Sequence, residues 1–281
     1  MKLLLALACL GLAVVCPTAD AQPPKDASRS KPEVPAARAD DPARLKELWN
    51  QAHKLAKEGK PKEAVAVCET ALGLAKARLG ESHKDTTALT HLLGYLYQTT
   101  GQYAKAEPLY RRALDFYEAK LGDHPDTARA LGNLAWLYKD TGRYAEAEPL
   151  YRRALDICEA KLGGDDPTTA LALNNLGLFY QTTGQYTKAE PLYERALAVW
   201  ETKRGPDHSD TAHALINLGN LYQAMGRYAK AEPLQRRAVE ICEAKHGGGH
   251  PNTAKALGNL ALLYQSMGHY AKAESLYRRA L

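Results

Sequence analysis

Phenylalanine is nearly absent from this sequence, and so are the residue patterns of the common enzyme sites. Only 2 residues are Phe, against 16 Tyr, so one aromatic residue is reused at regular places. No phosphate-binding GxxxxGK[ST], zinc-binding HExxH or nucleophile-elbow GxSxG string occurs. The string HGGGH at 246–250 resembles an oxyanion-hole loop only in its letters, because no strand precedes it. We therefore expect no enzymatic activity, no cofactor and no bound metal.

Cysteine and net charge are also low. The chain has 5 Cys, and three of them, Cys68, Cys158 and Cys242, lie beyond the N-terminal segment at wide spacings. An odd number at such spacings is not a disulfide framework. The formal net charge of +5 does not require nucleic acid or a membrane surface as a partner, and we expect neither.

The first residues contain an apolar run that is too short to span a bilayer. Residues 3–15 are apolar, Lys2 precedes them, and the A-x-A sequence at 19–21 is typical of a signal-peptide cleavage site. We expect a signal peptide cleaved near Ala21 and export to the periplasm or the outside. One alternative is an uncleaved N-terminal anchor; another is a lipoprotein at Cys16, which the preceding Val disfavours.

Three segments follow from this composition. Residues 1–21 are the predicted signal peptide. Residues 22–40 are rich in Pro, Ala and charge, which predicts a flexible tether. Residues 41–281 contain a repeat, with predicted units at about 41–79, 84–120, 125–162, 166–203, 208–246 and 250–281, the last of them incomplete.

The repeat is clearest in TGRYAEAEPLYRRAL at 141–155. Related strings contain Gly59, Gly101, Gly142, Gly184, Gly226 and Gly268, at spacings of 42, 41, 42, 42 and 42 residues. Such a period indicates a stack of one supersecondary unit. In residues 125–161, apolar residues recur at i, i+3, i+4 and i+7 on both sides of Gly142, which predicts two helices joined at that glycine.

These residues resemble the tetratricopeptide repeat of the kinesin-light-chain type. In the third unit, the matching positions are Ala135, Tyr138, Gly142, Ala147, Tyr151 and Ala154. The resemblance implies an all-α fold, a right-handed superhelical solenoid of about six helical hairpins. It also implies that the first helix of each hairpin lines a concave groove for a protein or peptide ligand. The first unit departs most from the pattern and is expected to be a cap.

Several recurring polar residues have a structural explanation beside a functional one. His83, His124, His208 and His250 precede the first helix of a unit, where we expect helix capping and no zinc ligation, since their spacing exceeds the reach of one ion.

Cys158 and Cys242 share a repeat position with Trp200, which indicates core packing. The Arg pairs of the second helices follow a Glu by four residues, which predicts ion pairs on a solvated convex face. Binding of anions there is the alternative.

A row of asparagines is the strongest functional candidate. Asn50, Asn133, Asn175, Asn217 and Asn259 each fall nine residues before a repeat glycine, and only Leu92 interrupts the series. Asn disfavours helix interiors, and its amide matches a peptide group. In the resembled family, Asn at this position contacts the backbone of a bound peptide. The alternative is that these residues tie adjacent helices together. The same face would include the following residues: Arg129, Trp136, Lys139, Asn174, Leu178, Gln181, His213, Asn220, Gln223, Lys255, Leu262 and Gln265.

The sequence thus predicts a non-enzymatic scaffold that binds a peptide or protein segment in a concave groove. A second hypothesis is that the chain is the adaptor portion of a larger, truncated enzyme or signalling protein. It rests on the sequence stopping within the second-helix pattern without a polar cap, which equally allows self-association of that unit.

Overall fold

A computed structural model describes residues 42–280, which form twelve α-helices and no strand. The predicted signal peptide and tether lie outside the described residues. Units 1 to 6 are successive helical hairpins, each an odd-numbered helix followed by an even-numbered one. The helices are α1 Pro42–Lys57, α2 Pro61–Leu79, α3 Lys84–Thr99, α4 Tyr103–Leu121, α5 Pro125–Asp140, α6 Tyr144–Leu162, α7 Pro167–Thr182, α8 Tyr186–Arg204, α9 Ser209–Ala224, α10 Tyr228–His246, α11 Pro251–Ser266 and α12 Tyr270–Ala280.

The turn inside each unit depends on its repeat glycine. After α5 ends at Asp140, Gly142 adopts a φ of 77° and donates its N–H to the Lys139 carbonyl at 3.1 Å. The next residue, Arg143, donates to the Tyr138 carbonyl at 2.8 Å. A residue with a Cβ is strained at this φ, so glycine is the residue that allows α6 to start at Tyr144. The predicted junction of two helices at Gly142 is confirmed.

The turn between units is closed by side chains. His124 accepts the backbone N–H of Asp126 through Nδ1 at 3.2 Å, and the equivalent His or Asp does the same before α3, α7, α9 and α11. The predicted capping role of these histidines is confirmed. A buried threonine then reaches back across the turn: Thr169 Oγ1 donates to the Gly163 carbonyl at 2.8 Å. This satisfies a carbonyl at the end of the preceding helix.

In units 2, 3 and 4, the hairpin is closed by a buried tyrosine packed on a small residue. In unit 4, the buried Tyr193 ring lies against Gly177, where an added Cβ would come within 2.9 Å of the ring. In unit 3, Ala135 takes the place of the glycine and Tyr151 the place of the tyrosine, and both are buried. Close approach of the two helices therefore depends on the small residue, as the sequence pattern predicts.

The internal prolines leave the even-numbered helices continuous. Pro108, Pro149, Pro191 and Pro233 lie inside α4, α6, α8 and α10, and all four helices are 19 residues long. Each proline lies on the exposed side of its helix. A carbonyl one turn earlier that loses its hydrogen bond can turn toward solvent there, so the helix is not broken.

The two sets of helices differ in how closely they approach their own kind. The backbones of consecutive odd-numbered helices from α3 to α11 contact each other directly, whereas no consecutive even-numbered helices among the described residues make a comparable contact. The stack is therefore narrower on its odd-numbered side, which becomes the inner face. We use "inner face" for the exposed surface of the odd-numbered helices and "outer face" for that of the even-numbered helices. Within residues 42–280, no helix is sufficiently long and apolar to cross a membrane.

Candidate functional site

The predicted asparagines all lie on odd-numbered helices, but they differ in exposure. Asn50 and Asn175 are exposed, whereas Asn133, Asn217 and Asn259 are half-buried. The half-buried members lie between neighbouring helices as well as along the inner face. The row therefore contains two kinds of position, and their hydrogen bonds separate them.

Two asparagines tie adjacent helices together. Asn217 Nδ2 on α9 donates to Asn174 Oδ1 on α7 at 2.7 Å. Asn133 Nδ2 lies 2.6 Å from His91 Nε2 on α3, and a neutral imidazole accepts this hydrogen bond. Burial and then the Arg129 guanidinium lower the pKa of His91 to about 4, which keeps that ring neutral at pH 7. At these two positions, the structural alternative is observed.

The other two central asparagines have no such partner. The positions that would face Asn175 and Asn259 across the preceding helix, by the same register, are Gly132 and Ile216, which carry no side-chain acceptor. Neither amide makes a side-chain hydrogen bond among the described residues, and the buried Nδ2 of Asn259 has no partner of any kind there. Asn175 is exposed on the inner face.

Three of the predicted inner-face residues are glutamines, Gln181, Gln223 and Gln265, and Gln98 holds the same register in unit 2; we call these four the glutamine row. Gln181 Oε1 accepts the Tyr193 hydroxyl at 2.9 Å, and Gln98 accepts Tyr110 at 3.0 Å in the same way. The tyrosine holds the amide oxygen, so the NH₂ group is left to donate elsewhere. In unit 2 it reaches Asp140 Oδ2 at 2.8 Å. The Gln181 NH₂ makes no further side-chain bond within the described residues, so it is an oriented donor on the inner face.

Two members of the glutamine row deviate. Gln265 accepts the Tyr277 hydroxyl at 3.3 Å and is exposed. Gln223 has no tyrosine partner and instead donates to Ser266 Oγ on the next odd-numbered helix at 2.9 Å. Unit 5 therefore lacks the tyrosine contact that orients this glutamine in units 2, 4 and 6.

Three members of the predicted set are cations, and two of them have carboxylate partners. Arg129 is exposed and pairs with Asp126 on its own helix at 2.9 Å. The Lys139 ammonium is nearly buried and lies 3.1 Å from the Asp140 carboxylate. Lys255 is half-buried and forms no ion pair among the described residues. Burial lowers the pKa of the nearby His213, and the charge of Lys255 lowers it further.

The apolar residues that were predicted for the inner face share one register, six residues before the repeat glycine. Its predicted members are Trp136 and Leu178, which are half-buried, and Leu262, which is 49% exposed. Unit 5 has Asn220 at this register. Mixed apolar and amide groups along one face suit recognition through a few anchors.

The outer face is occupied by ion pairs. The first Arg of three pairs contacts the Glu four residues earlier: Arg111 with Glu107 at 3.0 Å, Arg152 with Glu148 at 2.7 Å and Arg278 with Glu274 at 2.6 Å. The predicted pairing within one helix is confirmed at these positions. In unit 5, the equivalent Glu232 accepts the Tyr264 hydroxyl at 2.8 Å.

The second Arg of each pair has a role that sequence reasoning missed. Arg195 reaches Glu159 on the preceding even-numbered helix at 2.7 Å, and Arg237 reaches Glu201 at 2.6 Å. A signal for this was present, because unit 4 replaces the first Arg by Glu194 and retains the second. With these guanidiniums engaged by carboxylates, the outer face is a poor site for binding anions.

The cysteines are buried and do not resemble reactive thiols. Burial raises the pKa of the Cys158 thiol to about 11 and that of Cys68 to about 12, and it also raises the pKa of Cys242. A thiol with a raised pKa is a weak nucleophile at pH 7. The predicted packing role is confirmed. Within residues 42–280, no three His, Cys, Asp or Glu side chains converge as metal ligands.

Comparisons with known proteins agree with the repeat register. The family model of the tetratricopeptide repeat matches residues 47–119, 89–160, 168–244 and 210–281. The structure of BtubC (BKLC) from P. vanneervenii is 25% identical, with a TM-score of 0.62 over 84% of this chain and 89% of that one. Kinesin light chain TPR-like repeats from Podosopora anserina are 24% identical, with a TM-score of 0.60 over 74% and 99%.

A Rap protein complexed with Competence and Sporulation Factor shares the fold at 17% identity, with a TM-score of 0.63 over 84% of this chain and 74% of that chain. The comparison with curated proteins finds no match.

Proposed function

Because the chain belongs to the tetratricopeptide repeat family, we propose that its inner face binds an extended segment of a partner protein and that it does so without catalysis. A protein-interaction scaffold is the general role that this fold supports. The assignment of binding to the inner face rests on a difference between the polar groups of the two faces. Most outer-face guanidiniums, such as that of Arg195, pair with carboxylates, whereas Asn175 and Gln181 on the inner face retain unused hydrogen-bonding groups.

Amide side chains suit a partner whose backbone is exposed. Each carboxamide offers a donor and an acceptor, so it can pair with a peptide group whatever side chain follows. Lys255, which forms no ion pair among the described residues, would favour a partner segment with acidic side chains, and Trp136 and Leu178 would hold its apolar ones. The Rap protein of similar fold was solved with Competence and Sporulation Factor, one instance of a partner held by this fold.

The compartment is part of the proposal. A signal peptide at residues 1–21 and the tether at 22–40 would place the repeat outside the cytoplasm. A partner should therefore be sought among exported proteins. Detection of the intact N-terminus on the mature protein by mass spectrometry would contradict cleavage near Ala21.

Photo-crosslinking tests the proposed face directly. A photoreactive amino acid replaces Leu178 on the inner face, and in a matched control it replaces Asp156, which is exposed on the outer face. We expect a partner from the exported fraction to crosslink at Leu178 and not at Asp156. Crosslinking at Asp156 alone would move the partner to the outer face and overturn the proposal.

Two alanine substitutions then separate recognition from architecture. Asn175→Ala should leave the free energy of unfolding unchanged and weaken partner binding by about 1–3 kcal/mol, since partner groups lose their hydrogen bonds. Asn217→Ala should lower the free energy of unfolding by about 0.5–1.5 kcal/mol, because Asn174 loses its donor. If the two variants lost the same stability and the same partner affinity, Asn175 would not differ from Asn217 in role.

A further inference from the structure

The cap of α11 lacks an acidic neighbour that the other histidine caps have. The other three are each followed, two residues later, by an aspartate: His83 by Asp85, His124 by Asp126 and His208 by Asp210. The imidazole Nδ1 lies 3.7, 3.5 and 3.3 Å, respectively, from that carboxylate. His250 is followed by Asn252, whose backbone N–H it accepts at 3.1 Å. Unit 6 therefore has the same cap without the negative charge beside it.

The missing charge matters when the cap gains a proton. A neutral imidazole accepts the backbone N–H through Nδ1, whereas an imidazolium carries a proton on both nitrogens and accepts nothing. At His83, His124 and His208, the aspartate can accept a charge-assisted hydrogen bond from the protonated ring, so one contact replaces another. At His250 the cap bond is lost, and the neutral Asn252 has no charge with which to stabilise the imidazolium.

A second histidine lies against this cap. His246, the last residue of α10, stacks on His250 with ring centroids 4.4 Å apart and ring planes 19° apart. Its Nε2 lies 3.1 Å from Ser209 Oγ on α9. The even-numbered helices before α10 end in other residues at this register: Leu79, Leu121, Leu162 and Arg204. Two neutral rings can stack in this way, but two imidazoliums at this separation repel each other.

The carboxylates on the adjoining turns already have partners. Asp210 of α9 lies 3.7 Å from Nε of Arg204, and Glu243 of α10 pairs with Arg279 of α12. Asp207, in the loop before α9, is exposed. These groups therefore do little to offset the repulsion between two protonated rings.

Other groups at this junction are basic or titrate near neutral pH. They are His208 and His213 on the side of α9, Lys245 in α10 and Lys255 in α11. Burial and then Lys255 lower the pKa of His213, and His246 lowers it further, although Asp210 raises it. Added positive charge is therefore unfavourable at this junction.

The linker that precedes the cap of α11 consists of glycine. Residues 247–249 are all Gly, and a Cβ added at any of them would meet nothing within 4 Å. Each of the other four linkers carries an acidic residue before its cap: Glu81, Asp123, Asp165 and Asp207. Glycine gains more conformational freedom than other residues when a folded segment opens. The junction between units 5 and 6 thus combines a cap without an acidic neighbour with a backbone that opens readily.

We propose that the junction between units 5 and 6 is an acid-sensitive hinge, in which protonation of His250 and His246 releases the cap of α11 and lets unit 6 open away from unit 5. The neutral ring is the capping form, so the junction is closed above about pH 6.5, the ordinary range of histidine, and weakens as pH falls through it. Unit 6 carries Lys255 and Leu262, so its opening would shorten the inner face by one hairpin. The hinge goes beyond the proposed function and does not depend on it.

Hydrogen exchange measured by mass spectrometry locates the opening. The full chain is exchanged at about pH 7.5 and about pH 5.5, on either side of the histidine range, and protection is corrected for the intrinsic exchange rate at each pH. We expect the amides of α11 to lose about fivefold more protection on acidification than those of α7, whose cap is the carboxylate of Asp166. This is the size of effect expected from the loss of one helix cap. A loss of equal size in α7 and α11, or no loss in either, would overturn the hinge.

Two substitutions at the cap test its chemistry. Asn252→Asp restores the aspartate that follows the caps of units 2, 3 and 5, and His250→Asp copies the Asp166 cap of unit 4. Each should abolish the extra loss of protection in α11, because the first stabilises the protonated ring and the second replaces it with an acceptor that stays ionised at pH 5.5. Both variants should fold, since each copies a cap that the chain already uses.

The matched control makes the same exchange in unit 3. His124→Asp replaces a cap that already has Asp126 beside it, so the extra loss in α11 should be unchanged. Persistence of the extra loss in either Asn252→Asp or His250→Asp would show that the cap of α11 is not its cause and would reject the proposal. Abolition of the extra loss by His124→Asp would show that the effect does not originate in unit 6, which would also reject it.

Discussion

The inner and outer faces of the solenoid are built from the same repeat but differ in how their polar groups are used. On the outer face, one chemistry recurs: a second-position Arg such as Arg195 pairs with the Glu of the preceding even-numbered helix. On the inner face, a single register changes from Trp136 through Leu178 to Asn220. The recurring outer-face pairs join neighbouring units, and the variation on the inner face is what the proposed recognition of a partner would require. This division can be tested by substitutions that act on the shared core, on the unit junctions, and on each face.

The shared core should give the largest effect. Leu173 in α7 is fully buried, and Leu173→Ala should lower the free energy of unfolding by about 2–5 kcal/mol, from lost burial and the cavity left behind. Both faces should lose their order together, so partner binding should fall as well. Urea denaturation measures the loss. The control Leu262→Ala, at a side chain that is 49% exposed, should change stability by about 0.5 kcal/mol or less.

The junctions between units should give the next largest effect. Thr169→Val removes the buried hydroxyl that donates to Gly163, and it should lower the free energy of unfolding by about 1–3 kcal/mol without changing the inner face. The exposed Thr182 hydroxyl bonds a carbonyl of its own helix, so Thr182→Val is the matched control and should be nearly neutral. If both variants unfolded alike in urea, the junction bond would have no special role.

Lowering the pH should weaken the hydrogen bond between Asn133 and His91, which joins two odd-numbered helices. The pKa of His91 is lowered to about 4 by burial and then by Arg129, whereas the unfolded chain should titrate near 6.5. Between these values the unfolded state binds more protons, so the free energy of unfolding should fall as pH drops from about 6.5 to about 4. A pKa lowered from about 6.5 to about 4 corresponds to a loss of up to about 3 kcal/mol in the free energy of unfolding.

His91→Gln keeps an acceptor for Asn133 but does not titrate. Denaturation curves across this pH range should therefore be less pH-dependent for the variant than for the unsubstituted chain. Parallel curves would show that His91 does not carry the effect.

The outer-face ion pairs should give the smallest effect. Arg195→Ala should cost about 0.2–1 kcal/mol at low salt and close to nothing at about 1 M salt, because the pair with Glu159 is half-exposed. Lys203→Ala, at an exposed residue on the same helix, is the control and should show no such salt dependence. A large loss in the free energy of unfolding for Arg195→Ala that does not depend on salt would mean that this ion pair stabilises the fold more than an exposed, salt-screened pair can.

The repeat period of the sequence was sufficient to predict most of the fold. Repeat glycines, capping histidines and the alternation of small and large residues predicted the helices and their turns, because these depend on local backbone chemistry. The site was less predictable. Whether Asn217 or Asn175 is engaged depends on which residue of the preceding helix faces it, and that offset between helices is a property of packing. The Asn252 that follows the His250 cap was visible in the sequence, but the stacking of His246 on that cap required the structure.

The bonds across unit junctions have a direction. Arg237, Tyr222 and Thr211 donate to Glu201, Glu194 and Gly205 of the preceding unit, and these donors and acceptors recur from junction to junction. A unit placed backwards would set carboxylate against carboxylate. Removing or inserting one whole repeat in frame, by contrast, would bring matching groups back together. The array can therefore grow or shorten through duplication or loss of its coding segment, and each such event changes the length of the inner face by one hairpin while the bonds between units stay the same.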